Sequence, residues 1–457
     1  ALDFCKTLQK RAHLLRKILR NKNFGNFVLK TVLKPLAYEK STELNNAFRN
    51  VFFLLGGGVF PSEDIDFFYA VCRTRLKIYE NLIKAVQSSR PIVWTQWCFS
   101  KLLLHGFDAT GLTTESVITM GYALGPDKAH SYLRNAEEEG YLLEGCSSQR
   151  SFWGAILASD VPRAAAIISY THPCDSGIVA QSSLEYLTGI PVFSIATPYF
   201  RDAEGLIYMR NQMQELIVFL EKHLDQTFDW EKCIRGIKEY NSFSWYLHEV
   251  SQMMKARPCP VSSLALLLLW NFKGMAAGLR EATRCAERIY HHARKRLLAG
   301  QGTVKNERIR IIVWNPIMAF WMIAPWLEED FGAVIVGDYL SFHPYHQIDT
   351  ASRETTLEGL VLADQTYGMS RQTAGPIENS LEDLVTLIEE YSPDCVILTG
   401  NEGCKQEWAS LRIHKDYCKK YGLPVLSLST DFLDSHFSSE AEIKGKIREF
   451  FEESGWC

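Results

Sequence analysis

Apolar residues recur at three- and four-residue spacing over positions 8–19 and 64–86, with charges between them, which predicts two amphipathic helices near the start of the chain. From about residue 90 the pattern changes to short apolar runs separated by helical stretches. Positions 92–95 and, more strongly, 164–170 (AAAIISY) predict strands, and a helix over 177–188 and a strand over 191–196 follow. This is the alternation of a parallel sheet with crossover helices. Residues 205–300 return to helical periodicity, with Asp229-Trp230-Glu231 opening one run and Pro258 and Pro260 breaking the segment. A second alternation starts at Ile309, with strands over 309–314, 333–336, 395–398 and 424–428 and helices over 318–329, 380–391 and 407–421. Ser439 and Glu442 have the spacing of a capping box, which satisfies the free N–H groups that open the last helix.

The expected fold class is α/β, with two doubly wound parallel-sheet domains of Rossmann or flavodoxin type plus helical N-terminal and connecting segments. The boundaries read as 1–88 for the helical start, 89–225 for the first α/β domain, 226–305 for a helical connector and 306–457 for the second α/β domain. No internal repeat or low-complexity stretch is visible. Gly56-Gly57-Gly58 lacks the Gly-Lys-Ser/Thr ending of a phosphate loop and Pro61 follows it, so it reads as a turn.

Composition narrows the function classes. Of 457 residues, 47% are hydrophobic and 22% charged, and the net charge of -4 gives no basic excess that would point to a nucleic acid or a membrane surface. The apolar run 262–270 (SSLALLLLW) is too short to span a bilayer before Lys273 interrupts it, so a buried helix is expected. The start carries Lys and Arg without a continuous apolar stretch, so no export signal is read there, although the chain opens at Ala and residues before it are not excluded. Twelve cysteines without an export signal point to buried thiols, metal ligands or redox groups in a cytoplasmic protein rather than to disulfides.

Ligands of open parallel sheets bind at the loops beyond the carboxyl ends of the strands. Cys174 lies in such a loop (Thr171-His172-Pro173-Cys174-Asp175-Ser176-Gly177), and so does Cys404 (Gly400-Asn401-Glu402-Gly403-Cys404-Lys405). Cys146 sits in Gly145-Cys146-Ser147-Ser148-Gln149-Arg150, ahead of a helix starting near Phe152. All three precede a helix N-terminus, where the dipole and free N–H groups favour thiolate. Three unrelated loop cysteines would look the same. No Cys-x-x-Cys spacing is present, which argues against a zinc ribbon or a ferredoxin-type cluster. His343 and His346 lack an accompanying Glu-x-x-His and read as loop residues, Cys395 as a buried strand residue, Asp338 and Tyr339 as residues near the same cleft, and Cys98, beside Trp97 and Phe99, either as facing that cleft or as simply packed.

At these loops residues 90–457 resemble the 2-hydroxyacyl-CoA dehydratase and benzoyl-CoA reductase family, in particular the iron–sulfur subunit of the 2-hydroxyglutaryl-CoA dehydratase D-component type. The resemblance is carried by Cys-Ser-x-x-Arg-Ser at Cys146, by Cys174 followed by a helix and Gly189-Ile190-Pro191-Val192, by Pro198-Tyr199-Phe200, and by Gly403-Cys404-Lys405 with Gly422-Leu423-Pro424 and Thr430-Asp431-Phe432-Leu433-Asp434. It implies a 4Fe-4S cluster on Cys146, Cys174 and Cys404, an acyl-CoA substrate, a homologous second subunit (or a second copy) and an ATP-hydrolysing iron–sulfur activator. It also implies that an added electron, held as a ketyl radical, makes an unactivated β-proton removable. Thr95 would offer a hydroxyl to the substrate. The Pro and Glu that the family carries after this position are missing here, where 100–105 reads SKLLLH, and 363–367 (ADQTY) lacks a further cysteine. A reductase of aromatic acyl-CoA or small molecules and a non-enzymatic two-domain binding protein are the alternatives; a double cubane would need about six thiolates, twice the number placed.

Overall fold

The computed structural model describes residues 2–21, 65–115, 126–141, 143–263, 265–315, 320–342, 344–431, 433–434 and 437–456. The triglycine turn at 56–58, Phe52, Phe53 and His343 lie outside the described residues. The chain begins with α1 (Leu2–Arg20) and α2 (Ile65–Gln87). The first α/β half comprises β1 (Ile92–Thr95), β2 (Thr110–Thr113), α3 (Pro126–Glu138), α4 (Ser147–Leu157), β3 (Ala166–Tyr170), α5 (Asp175–Thr188), β4 (Val192–Ile195) and α6 (Ala203–Leu224). Helices α7 (Trp230–Met253), α8 (Ala265–Ala276) and α9 (Arg280–Leu298) follow. The second half comprises β5 (Ile309–Trp314), α10 (Phe320–Phe331), β6 (Ala333–Asp338), α11 (Arg353–Gln365), α12 (Ser370–Thr373), α13 (Ile377–Tyr391), β7 (Cys395–Asn401), α14 (Lys405–Lys420), β8 (Val425–Thr430) and α15 (Glu440–Glu453).

Both sheets have four parallel strands, in the orders β2-β1-β3-β4 and β6-β5-β7-β8. The two halves therefore share one strand order, a repeat that the letters of the sequence do not display. The apolar runs explain the central strands: in a parallel sheet covered on both faces, successive side chains enter different cores. Ile92, Trp94 and Ile167 face one cluster, and Val93, Ala166 and Ile168 face the other. β2 escapes this signature. It reads Thr-Gly-Leu-Thr, and a Cβ at Gly111 would come within 2.9 Å of Leu104 Cδ1 and Lys101 Cδ, so a short edge strand is built around a close approach rather than an apolar run. Thr355, rather than a Glu or Gln, completes a capping box with Ser352 at the start of α11, another helix that the periodicity does not announce.

Phe68 and Tyr69 of α2 are buried and belong to the core. The apolar run ahead of Lys273 forms the buried helix α8, and among the described residues no helix is long and apolar enough to cross a membrane. The two halves are joined at Asp364 of α11, whose Oδ1 accepts from the Ser100 N–H at 2.9 Å and whose Oδ2 accepts from the Tyr170 hydroxyl.

Arg310 on β5 is 1% exposed and forks to the carbonyls of Tyr391 (3.0 Å), Ala256 (2.9 Å) and Met254 (2.8 Å) and to Glu307 Oε1 (2.8 Å). It thus ties the second sheet to the end of α7 and to the end of α13. Arg310→Met leaves three carbonyls and a carboxylate without their donor, and is expected to lower stability by about 3–5 kcal/mol in a denaturant titration. Arg310→Lys, which lacks the fork, is expected to recover less than half of the loss. A midpoint unchanged by Arg310→Met would remove this tie from the account.

Candidate functional site

Each of the three loop cysteines is the N-cap residue of a helix: Cys146 of α4, Cys174 of α5 and Cys404 of α14. Cys174 and Cys404 occupy equivalent places in the two halves, each following the third strand of its sheet. Ser176, two residues after Cys174, brings the loops together. Its hydroxyl accepts from the Cys146 N–H at 3.2 Å and donates to the Gly403 carbonyl at 3.4 Å. Gly403 has φ +75°, and a Cβ there would lie 2.7 Å from both Cys146 N and the Gly145 carbonyl carbon. Only glycine allows that approach in that conformation. At the rim, Lys405 Nζ lies 3.3 Å from Asp175 Oδ2.

All three cysteines are half-buried as residues. The Gly177 N–H donates to Cys174 Sγ at 3.2 Å, and Asn401 Nδ2 approaches Cys146 Sγ at 3.9 Å. Backbone N–H groups of Ser148 and Gln149 favour the thiolate of Cys146, as expected at a helix N-terminus. Burial overrides them: it pushes the Cys146 thiol up to about 12 and those of Cys174 and Cys404 above the ordinary range. The thiolates also oppose one another. Cys146 raises Cys174, and both raise Cys404, so the three face a common space. Without positive charge among them they stay protonated. Among the described residues no three His, Cys, Asp or Glu side chains converge closely enough for a single metal ion. A four-iron cluster asks for less, because it bridges sulfurs about 6–7 Å apart with metal–sulfur bonds near 2.3 Å. Three cysteine thiols with N–H donors aimed at two of them form a donor set that suits such a group.

Thr95 ends β1 and is fully buried, and its hydroxyl has no hydrogen-bond partner. The next residue, Gln96, accepts from the Tyr170 N–H at 2.7 Å and lies against Gly177, where a Cβ would come 2.6 Å from its Nε2. The end of β1 therefore abuts the Cys174 helix. Cys98 is buried, with its thiol pushed up to about 12 by burial, and Cys395 is buried within β7.

Two carboxylates, Glu407 and Glu115, escape the sequence reading, while Asp338 is expected near the cleft from the sequence. Glu407, one turn into α14, accepts from the Asn401 N–H at 2.7 Å and bonds Cys404, Asn315 and Tyr339, and burial pushes its carboxyl up to about 8. It lines a cavity of about 540 Å³ with Trp314, Asn315, Tyr339 and, from the other half, Tyr199. Asp338 is buried with its carboxyl raised to about 6 and accepts from the Ser341 N–H at 2.8 Å. Glu115, just past β2, accepts from Gln149 Nε2 at 3.0 Å. Glu115 follows a strand that the periodicity does not announce, and Glu407 reads as an ordinary charge at the start of an expected helix; only the fold shows which groups they meet.

The family model for the 2-hydroxyglutaryl-CoA dehydratase D-component matches residues 96–453. The chain belongs to this family. It is 21% identical to the (R)-2-hydroxyisocaproyl-CoA dehydratase alpha subunit of Clostridioides difficile over 389 residues, covering 82% of this chain and 92% of that protein. It is 23% identical to a subunit of the benzoyl-CoA reductase of Thauera aromatica over 283 residues, covering 57% of this chain and 64% of that one. Both named relatives are subunits, and the D-component match spans every loop just described.

Gly403→Ala tests the convergence of the loops. The added methyl meets backbone, and the residue is strained at positive φ, so a loss of about 1–3 kcal/mol is expected in thermal or denaturant unfolding, with faster alkylation of Cys404 in peptide mapping. A variant as stable as the parent, with unchanged alkylation, would show that the loops do not pack in this way.

Proposed function

We propose that this chain is a subunit of an iron–sulfur 2-hydroxyacyl-CoA dehydratase and that Cys146, Cys174 and Cys404 hold one 4Fe-4S cluster, leaving one iron open to a non-protein ligand. The observation that carries the reading is the meeting of three N-cap thiols around Ser176 and Gly403, from positions 146, 174 and 404. When bound, the cluster supplies a low-potential electron to the thioester, which renders a neighbouring C–H acidic. The chain's own residues orient and shelter. Gly177 N–H and Asn401 Nδ2 direct partial positive charge at two of the sulfurs. The cavity between Tyr199 and Glu407 is a place for the acyl chain, and the free hydroxyl of Thr95 is available to the substrate.

The reading includes a homologous second subunit, an ATP-hydrolysing iron–sulfur activator and a cytoplasmic setting. Exposed apolar residues support the second subunit: Val179, Tyr186 and Leu187 on α5, Tyr199 and Phe200 after β4, and Trp408 on α14. Four of them lie on the helices that Cys174 and Cys404 cap, where a covering chain would keep water from a radical. Aromatic acyl-CoA reduction is the second reading, favoured by the benzoyl-CoA reductase relative. It shares the thiol site and differs in the acyl group.

Anaerobic reconstitution with iron and sulfide is expected to load about four of each per chain, with the absorbance of a cubane. Cys146→Ser, Cys174→Ser and Cys404→Ser are each expected to lose more than half of the iron, and Cys98→Ser to lose none. Equal loading of all four variants would overturn the ligand assignment. Sedimentation under the same conditions is expected to show association with a second, homologous chain or copy, burying more than about 2,000 Å². A monomer that dehydrates a 2-hydroxyacyl-CoA in the presence of an activator would remove the partner from the reading.

A further inference from the structure

The free edge of the first sheet carries a cavity that belongs neither to the cysteine loops nor to the pocket beside Glu407. β2 is an edge strand, and the cavity beside it measures about 710 Å³. Small-molecule sites commonly span about 300–1,000 Å³. Its walls come from α2, the residues just ahead of β1 and β2, the first half of α7 and the turn that opens α9. Arg90 and Ala109 stand at the amino ends of β1 and β2, whereas the Cys174 and Cys404 loops leave the carboxyl ends of their strands. A strand of this length puts roughly 13 Å between the two ends of the sheet. The cavity therefore opens away from the thiol crevice.

Its charge runs against that of the chain. The protein carries a net charge of -4, yet Arg90, Lys101, Lys232, Arg235, Lys238 and Arg280 line this one cavity against two carboxylates, Asp108 and Glu239. The carboxylates do little to quench them. Arg90 Nη2 donates to the Ala109 carbonyl at 3.0 Å and lies 3.0 Å from Asp108 Oδ1, a side chain that is 75% exposed. Lys232 and Arg235 meet only Asp229 at 3.5 Å and Glu231 at 3.8 Å, exposed pairs from the start of α7 that hold little energy. Lys101, Lys238 and Arg280 have no ion pair among the described residues. The Lys101 stem crosses the edge strand at Gly111, and burial lowers its amine to about 7. A solvated basic face would be convex and would spread such charges apart; here they converge on a hollow, where they repel one another unless an anion joins them.

Two further features suit a phosphorylated ligand. No side chain caps α9, and its opening residues Gly278, Leu279 and Arg280 line the cavity. The first N–H groups of a helix and its dipole favour an anion at that place. The turn is held there by His105, whose Nε2 lies 2.8 Å from the Ala277 carbonyl and against Gly278, where φ is +77° and a Cβ would come within 2.5 Å of the ring. Met275 and Leu279 add half-buried apolar surface beside the charges.

We propose that this cavity binds a free nucleotide, with its di- or triphosphate among Arg280, Lys238 and Arg90 and its base against Met275. The site stands apart from the thiol crevice and the assignment does not rest on the dehydratase reading.

Isothermal titration of the full chain with ADP, ATP, pyrophosphate and inorganic phosphate tests it. ADP and ATP are expected to saturate one site per chain, and inorganic phosphate to bind at least about 10-fold more weakly, because it can join fewer of the cations. Lys238→Ala combined with Arg280→Ala, two exposed positions, is expected to weaken ADP at least about 10-fold while binding (R)-2-hydroxyisocaproyl-CoA within about 3-fold of the parent. Without any variant, ADP is expected to slow acylation of Lys238 in peptide mapping and to leave the exposed Lys222 unaffected. Lack of saturable ADP and ATP binding overturns the proposal, as does ADP affinity unchanged in the double variant or Lys238 acylation unchanged by ADP. A matched loss of thioester and ADP binding in the double variant would assign the cavity to the nucleotide end of CoA and would overturn the free-nucleotide site as well.

Discussion

Burying three thiols that repel one another once ionised is the constraint on which this structure turns. Each sulfur sits at a helix N-terminus, with a dipole and backbone N–H groups that would stabilise a single thiolate. Taken together and half-buried they do the opposite: Cys146 drives Cys174 toward the protonated form, and both drive Cys404. The arrangement makes electrostatic sense around positive charge, and the packing that enforces it is close: a serine hydroxyl shared by two loops and a glycine whose missing side chain lets the Cys404 loop rest on the Cys146 backbone.

The rest of the fold serves that approach. Two sheets of the same strand order present their third strands, β3 and β7, so that the loops after them carry Cys174 and Cys404 in matching places. In such sheets the crevice forms where strand order reverses, between β1 and β3 in the first and between β5 and β7 in the second. Asp364 fixes one half against the other through the Ser100 N–H and the Tyr170 hydroxyl, so the relation of the cysteines does not depend on their own loops alone. Arg310 does the same for the second sheet and the connecting helices. The polar residues that line the crevice are buried without a core role of their own, including Gln96, Thr114, Gln149 and Gln181.

Much of this was legible in the sequence, and the reasons for the exceptions are physical. β1 and β5 could be read to the residue because both faces of a central parallel strand are apolar. The cysteine loops were legible because each thiol lies in turn-forming sequence ahead of an expected helix, and the family resemblance set them in order. β2 was hidden by its glycine, and with it went Glu115, which accepts from Gln149 on the Cys146-capped helix. Glu407 was hidden differently: it reads as an ordinary charge in the first turn of a helix, and only the packing of Asn315 and Tyr339 turns it into a group with a perturbed proton affinity. The matching topology of the halves was invisible because strand order is a property of pairing, which no local pattern encodes.

The central claim is that Cys146, Cys174 and Cys404 share one cluster. Anomalous diffraction at the iron edge from an anaerobically grown crystal addresses it most directly, since it locates iron without reference to activity. The account predicts one compact four-iron peak enclosed by the three sulfurs, with the fourth iron facing away from protein side chains. Iron centred elsewhere, or a fourth protein ligand on that iron, would contradict it.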